Sequence, residues 1–346
     1  MRAAIFNAPR DITVGDRPDP RIKAPTDAVV RVTLACVCGS DLWYYRGQTP
    51  YPAGPIGHEF VGVVGEVGAE VRGLRPGDLV VSPFLWSDGP CELCLAGWPS
   101  NCLHGGGFGG RGTDGGQGEA VRVPFADATL VKVPGSGHSD SVMRSLLALT
   151  DVACTGHHAA VSAGVGPGTT VAVVGDGAVG LSAVLAAKRL GAARIIALSR
   201  NPARQDVARE FGATDIIAER GDAAVEAVKA LTGGLGVEAA LECVGTAESL
   251  TTAFNISRSG GMVGAVGVPH GSVVPIETVI FRNVGLRGGV APARKYIPEL
   301  LPAVLDGSID PGRLFDFETD LEHIADAYEA MDGRRAIKSL VRVGDA

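Results

Sequence analysis

Several things are scarce in this 346-residue chain, and each scarcity removes a class of function. No run of lysine or arginine occurs and the formal net charge is −7, so the footprint of a nucleic-acid or anionic-membrane binder is missing. No apolar run reaches the ~20 residues that a spanning helix needs. The opening Met1-Arg2-Ala3-Ala4-Ile5-Phe6-Asn7 reads as a short strand reaching a turn at Pro9, not as a signal peptide, so a cytoplasmic location is expected. Charged residues make up only 20% against 46% hydrophobic, which excludes disorder and fits a buried parallel sheet. There is no internal repeat and no low-complexity tail. The seven cysteines are an odd number, and three of them cluster at Cys91, Cys94 and Cys102. Metal binding or free thiols in a reducing compartment therefore fit better than a disulfide framework. What is left is small-molecule chemistry, in a chain long enough for two cores.

Up to about residue 135 the chain shows short β-branched runs separated by glycine and proline, at Ala28 to Leu34, Phe60 to Val67, Asp78 to Ser82, Ala120 to Val123 and Leu130 to Val133. That spacing predicts a barrel-like all-β domain. The glycine-rich stretches Gly105 to Gly112 and Thr113 to Gly118 read as a loop, either a pocket cover or a plain connection. After Ser139 a helical pattern, with Val142, Leu146, Leu147 and Leu149 at compatible spacing, runs into Thr150-Asp151.

From Gly168 the rhythm becomes strand, helix, strand. Strands are expected at Thr170 to Val174, Arg194 to Leu198, Asp215 to Ile217, Glu238 to Glu242, Met262 to Val266 and Val284 to Leu286. Such alternation predicts a doubly wound parallel sheet of the dinucleotide-binding kind. A helix at Ile297 to Asp306, a strand at Phe315 to Phe317, a helix near Ile324 to Met331 and a strand at Ser339 to Val343 follow. This segment is too short for a third core and is expected to rejoin the first domain. The predicted organisation is 1–150 with 291–346 as one domain and 151–290 as the other.

Two stretches carry chemistry. Cys38-Gly39-Ser40-Asp41 is followed nineteen residues after the cysteine by Gly57-His58-Glu59. A thiolate, a hydroxyl and an imidazole flanked by carboxylates among turns are the ligand chemistry of a zinc site left open for substrate. The second stretch, Gly175-Asp176-Gly177-Ala178-Val179-Gly180, follows one predicted strand and opens a helix. In that context Gly175 permits a tight turn, Gly177 lets backbone approach a pyrophosphate, and Gly180 allows close helix packing. Ala178, Val179 and Val268 join the cofactor-facing set. At the end of the second strand, where an acidic residue would hold a ribose 2′-hydroxyl, the chain reads Ser199-Arg200 with Arg204 one turn on. With no carboxylate there, NADP(H) is expected over NAD(H). The plain alternative is an exposed loop cation and a site that takes both.

Together these motifs resemble the zinc-dependent medium-chain alcohol dehydrogenase family over nearly the whole chain. The resemblance implies a GroES-like β-rich catalytic domain beside a Rossmann domain, an α/β fold. It implies that Cys38 and His58 are zinc ligands, with the third four residues before the Thr of Thr155-Gly156, at Asp151. Cys154 nearby is the alternative. One thiolate, one carboxylate and a neutral imidazole balance Zn²⁺ as two thiolates would. Glu59 is expected beside the metal, and Asp41 to accept the free imidazole N–H of His58.

Cys91-x-x-Cys94, with Cys102 beyond, matches three of the four positions of the family's structural zinc lobe, the first falling on Asp88. Either a second zinc is held by Asp88, Cys91, Cys94 and Cys102, or the lobe keeps free thiols; His104 is either a further donor or a plain loop histidine.

The implied reaction is hydride transfer between NADP(H) and an alcohol, aldehyde or ketone, with Ser40 taking the alcohol proton. Trp43 stands where many relatives have a relay histidine, and an indole has only a donor N–H, so the proton must leave Ser40 another way. Trp43 and Phe84 match pocket-lining positions and favour a moderately apolar alcohol, unless both are barrel core. Lys338 matches a position that contacts the cofactor pyrophosphate. A homo-oligomer, tetramer or dimer, is implied. Rival readings are a polyol, sugar or amino-alcohol dehydrogenase on the same scaffold, and a nucleotide-sensing or quinone-reductase-like protein without zinc chemistry.

Overall fold

The computed structural model describes residues 1–110 and 113–344, so the expectation for Gly105 to Gly112 falls partly outside the described residues. The chain divides into two units, Met1–Asp151 with Pro292–Ala346, and Val152–Ala291.

The first unit is built around the strand Ala28–Cys36, in which only Arg31 is exposed. It is this buried because it is paired along both edges. Phe60–Val67 runs antiparallel on one side. On the other, Ala28 to Arg31 pair with Ala120–Val123, and Leu34 to Cys36 with the C-terminal strand Lys338–Arg342. Phe315–Asp320 then adds in parallel to Lys338–Arg342, and Leu79–Val81 and Val131–Lys132 extend the far edge. The C-terminal segment is thus threaded into the middle of the sheet that carries Cys38. Val30, Phe60, Val64, Val80, Val121, Ile324 and Tyr328 fill one core against this sheet.

Three elements differ from expectation. Asp11–Asp16 forms a second strand with Arg2–Ala8, although its charged and glycine residues hide the alternation. The helix Ala293–Leu305 begins at Ala293 and runs through Pro298 and Pro302, because it buries Tyr296, Ile297, Leu300, Leu301 and Val304. The helical run after Ser139 is two helices, Asp140–Leu149 and Val152–Ser162. Ser139 caps the first by accepting from the Val142 amide. At its end the Thr150 hydroxyl donates back to the Leu147 carbonyl at 2.7 Å, and Asp151 falls in the break.

The second unit holds six parallel strands in the order Asp215–Ile217, Arg194–Leu198, Thr170–Val174, Val237–Glu242, Ser257–Ala265 and Gly285–Gly288. The order reverses between Thr170–Val174 and Val237–Glu242, the switch point of a doubly wound sheet. Ala172, Ile196, Ala240, Phe254 and Val263 lie in its core. No helix among the described residues is long and apolar enough to cross a membrane.

Candidate metal centre and nucleotide site

Cys38 lies just beyond the strand Ala28–Cys36, where its amide donates to Asp41 Oδ2 at 3.0 Å and so bends the chain into the short helix Asp41–Tyr45. His58 and Glu59 stand immediately before Phe60–Val67. Their approach depends on Gly57, at φ +91°, because a Cβ there would come within 2.4 Å of Gln117 Cγ. Gln117 cannot retreat. Its amide donates to the Cys36 carbonyl at 3.0 Å and accepts from the Tyr328 hydroxyl at 2.8 Å.

Cys38, His58, Glu59 and Asp151 each bring a ligand atom within 4.8 Å of the others. Asp151 Oδ2 is 3.4 Å from Cys38 Sγ and 3.5 Å from His58 Nε2. Asp41 Oδ1 stands 3.5 Å from His58 Nδ1, on the opposite side of the ring. The Phe84 ring meets His58 edge-on with centroids 6.3 Å apart. Cys154 is buried one turn into Val152–Ser162 and is not part of the group.

The electrostatics describe a buried crowd of acidic groups. Burial, then the charges of Asp151 and Glu59, push the Cys38 thiol up to about 11. Burial likewise raises Asp41 and Glu59, against the pull of His58 and Lys338. Burial opposes protonation of His58, but Asp41 and Cys38 hold its pKa well above the ordinary histidine value. Glu59 Oε1 takes a hydrogen bond from Lys338 Nζ at 2.7 Å, while Glu59 Oε2 is buried with no partner. A sulfur, an imidazole nitrogen and two carboxylates converging in a buried pocket with an orphaned oxygen fit a divalent cation of the zinc kind.

Asp88, Cys91, Cys94 and Cys102 form the other such group among the described residues. Asp88 Oδ1 lies 3.2 Å from Cys102 Sγ and 3.4 Å from Cys94 Sγ, and Cys91 Sγ is 3.7 Å from Cys102 Sγ. The other carboxylate oxygen, Oδ2, is 2.5 Å from His104 Nδ1. That bond, more than any other contact, holds Asp88 below the usual carboxylate range. His104 therefore meets Asp88 through the oxygen that faces away from the sulfurs.

In the second unit Gly177 stands at the N-cap of Ala178–Arg189 without any side-chain cap, and a Cβ on it would meet nothing within 4 Å. Open space lies where the unpaired amides of a helix N-terminus would receive phosphates. A Cβ on Gly180 would sit 2.0 Å from the Gly175 carbonyl, so the helix packs on the loop as a dinucleotide motif requires. Ala178 and Val179 open that helix, and Val268 is exposed beyond the fifth strand. Arg200 is exposed, two residues after the strand Arg194–Leu198.

The absence of a carboxylate inferred from the order Ser199-Arg200 does not hold in space. The Ser199 hydroxyl donates to Asp176 Oδ2 at 3.0 Å, and Arg204 Nη1 meets the Asp176 carbonyl at 3.1 Å and Oδ1 at 3.4 Å. An acid from the glycine loop has come to the strand end. Gln117 and Asp176 had no local signal as site residues. Ser40 and Trp43 are half-buried on the short helix beside Cys38, and the Ser40 hydroxyl makes no capping bond.

Comparison with known proteins agrees with this geometry. Residues 24–135 match the alcohol dehydrogenase GroES-like domain and residues 178–306 the zinc-binding dehydrogenase domain. Zinc-type alcohol dehydrogenase B of Aspergillus flavus is 33% identical over 354 residues, covering 100% of this chain and 82% of its own length. The alcohol dehydrogenase TADH of Thermus sp. ATN1 superposes with a TM-score of 0.91 at 36% identity, over 99% of this chain and 100% of that one. A Sinorhizobium meliloti protein of zinc-binding dehydrogenase type, solved with NADP bound, gives 0.82 at 26% identity, over 99% and 98%. The fold and the site define a zinc-type oxidoreductase, and the chain belongs to the zinc-dependent medium-chain alcohol dehydrogenase family.

Proposed function

We propose that this enzyme interconverts moderately apolar alcohols with their aldehydes or ketones, using NADP(H) in preference to NAD(H). The observation that carries the reading is the convergence of Cys38, His58 and Asp151 in one buried group. These three would hold the catalytic zinc, with Glu59 beside them. Zinc in such a site supplies Lewis-acid polarisation of the substrate oxygen, and the nicotinamide supplies or accepts the hydride. Asp41 keeps His58 oriented through Nδ1, which leaves Nε2 for the metal. Ser40 Oγ takes the alcohol proton and, because Trp43 offers only a donor, passes it on by a route other than that side chain. Phe84 packs an apolar edge against His58, which supports an apolar substrate over a polyol.

The amides at the start of Ala178–Arg189 bind the pyrophosphate and Arg200 favours the 2′-phosphate, whereas Lys338, fully buried against Glu59, serves that carboxylate rather than the pyrophosphate position the sequence suggests. Asp88, Cys91, Cys94 and Cys102 would hold a second, structural zinc. The enzyme acts in the cytoplasm as a homo-oligomer, without nucleic-acid or membrane partners.

The test is a cofactor-by-substrate activity matrix with zinc quantified on the same sample. The expected result is at least one tightly held zinc per chain, faster turnover of simple alcohols than of sorbitol or threonine, and higher kcat/KM with NADP(H). Cys38→Ala and Asp151→Asn should each lose both catalytic zinc and activity. Full activity in either variant sinks the proposal.

A further inference from the structure

The carboxylate of Asp176 occupies a position that nothing in the linear sequence assigns to it. In doubly wound dinucleotide folds the adenosine ribose is read at the end of the second strand, where an acidic side chain about twenty residues beyond the glycine motif meets the 2′-hydroxyl. Here that strand is Arg194–Leu198, and the next residue is Ser199. Its side chain carries no charge, but its hydroxyl donates to Asp176 Oδ2 at 3.0 Å. An acid has therefore reached the ribose end of the strand from the second position of the glycine motif.

The same carboxylate changes what Arg204 can do. Arg204 is only 7% exposed, and its Nη1 is engaged by both the carbonyl and the carboxylate of Asp176. Its charge is largely neutralised within the protein. Arg200, by contrast, is exposed. A 2′-phosphate arriving here meets one open cation, one already paired cation and one carboxylate. At a few ångströms in a half-buried setting, a like charge outweighs many neutral contacts.

We infer that Asp176 is the specificity-determining residue of the nucleotide site. It weakens binding of a 2′-phosphorylated ribose by direct repulsion and by holding Arg204, so it limits the preference that Arg200 confers. This rests on the reading that the second unit binds a dinucleotide and favours NADP(H).

The experiment is titration calorimetry on the full chain with two half-cofactors, 2′,5′-ADP and 5′-AMP, which report the adenosine subsite without turnover. Asp176→Asn keeps the shape and one acceptor oxygen while removing the charge, and Asp176→Ala guards against an effect of the donor NH2 that Asn introduces. The affinity ratio of 2′,5′-ADP over 5′-AMP should rise by about tenfold in both variants. A ratio unchanged or lowered in both would overturn the inference, the lowered case meaning that Asp176 positions Arg204 for the phosphate. The wild-type ratio separately decides the NADP reading. If the wild type prefers 5′-AMP, that reading fails while the shift in the variants still measures Asp176. If the wild type binds neither compound, both fall.

Discussion

Lys338 and Glu59 are fully buried and meet at 2.7 Å, next to the Cys38 thiol and the Asp151 carboxylate. Burial alone would strip Lys338 of its proton, but the acidic neighbours Cys36 and Glu59 hold its pKa well above the ordinary lysine value. The ammonium is the protein's own answer to an excess of buried negative charge. Removing one member of such a pair leaves the other stranded, at a cost of about 3–5 kcal/mol. Lys338→Met should accordingly lower the unfolding free energy by an amount in that range, seen as a lower urea midpoint at unchanged slope, and Lys338→Met with Glu59→Gln should regain most of it. An unchanged midpoint in the single variant would mean that Glu59 is carried neutral. At this scale the sequence was readable only where the partners are neighbours. Cys38 with Asp41, and His58 with Glu59, announce themselves within a few residues. Lys338 stands 279 positions from Glu59, and Asp176 stands 23 from Ser199, and no local pattern links either pair. Such pairings come from strand order, which a linear reading does not contain.

The strands that lie within continuous apolar runs were legible to the residue. Phe60–Val67, Ala120–Val123, Thr170–Val174, Arg194–Leu198 and Asp215–Ile217 begin and end where their composition says. Elements shaped by tertiary packing were not. Asp11–Asp16 is an edge strand with little apolar alternation, and the break at Thr150-Asp151 hangs on one side-chain hydrogen bond. Among the legible strands, Arg194–Leu198 and Asp215–Ile217 are clamped at their starts by Arg194, whose Nε and Nη2 reach the two Asp215 oxygens at 2.9 and 2.8 Å. The Arg194 guanidinium, first among the causes, holds Asp215 below the usual aspartate pKa. A lowered folded-state value means that the stabilisation is present above the unfolded pKa of about 3.9 and is lost as pH falls through the lower folded value. Asp215→Asn should cost about 1 kcal/mol at pH 7 by chemical denaturation, discounted for its partly exposed partner. The difference from wild type should shrink towards zero below about pH 4. A gap that stays constant with pH would assign the effect to packing instead.

For the molecule as a whole, the strand Gly285–Gly288 closes the six-stranded sheet and, among the described residues, is paired on one side only. The helix Ile276–Arg282, which precedes that strand in the chain, buries none of its residues, and Val273, Val274, Ile276, Ile280 and Phe281 are exposed. An open strand edge and a run of exposed apolar side chains are each what a second copy of the chain would cover, in keeping with the proposed homo-oligomer. Light scattering should give a multiple of the 35.4 kDa chain mass, and Phe281→Asp should move it towards that value. A monomer at all concentrations would refute it. The threading of Lys338–Arg342 between Ala28–Cys36 and Phe315–Asp320 also sets an order of events during translation. A ribosome emits Val152–Ala291 as one uninterrupted stretch, so that unit can fold while the remaining residues are still being added. The unit bearing Cys38, His58 and Asp151 must wait with a gap in its central sheet until Lys338–Arg342 emerges. The nascent chain therefore completes its nucleotide half first, and Glu59 gains its counter-ion only after that half has been made.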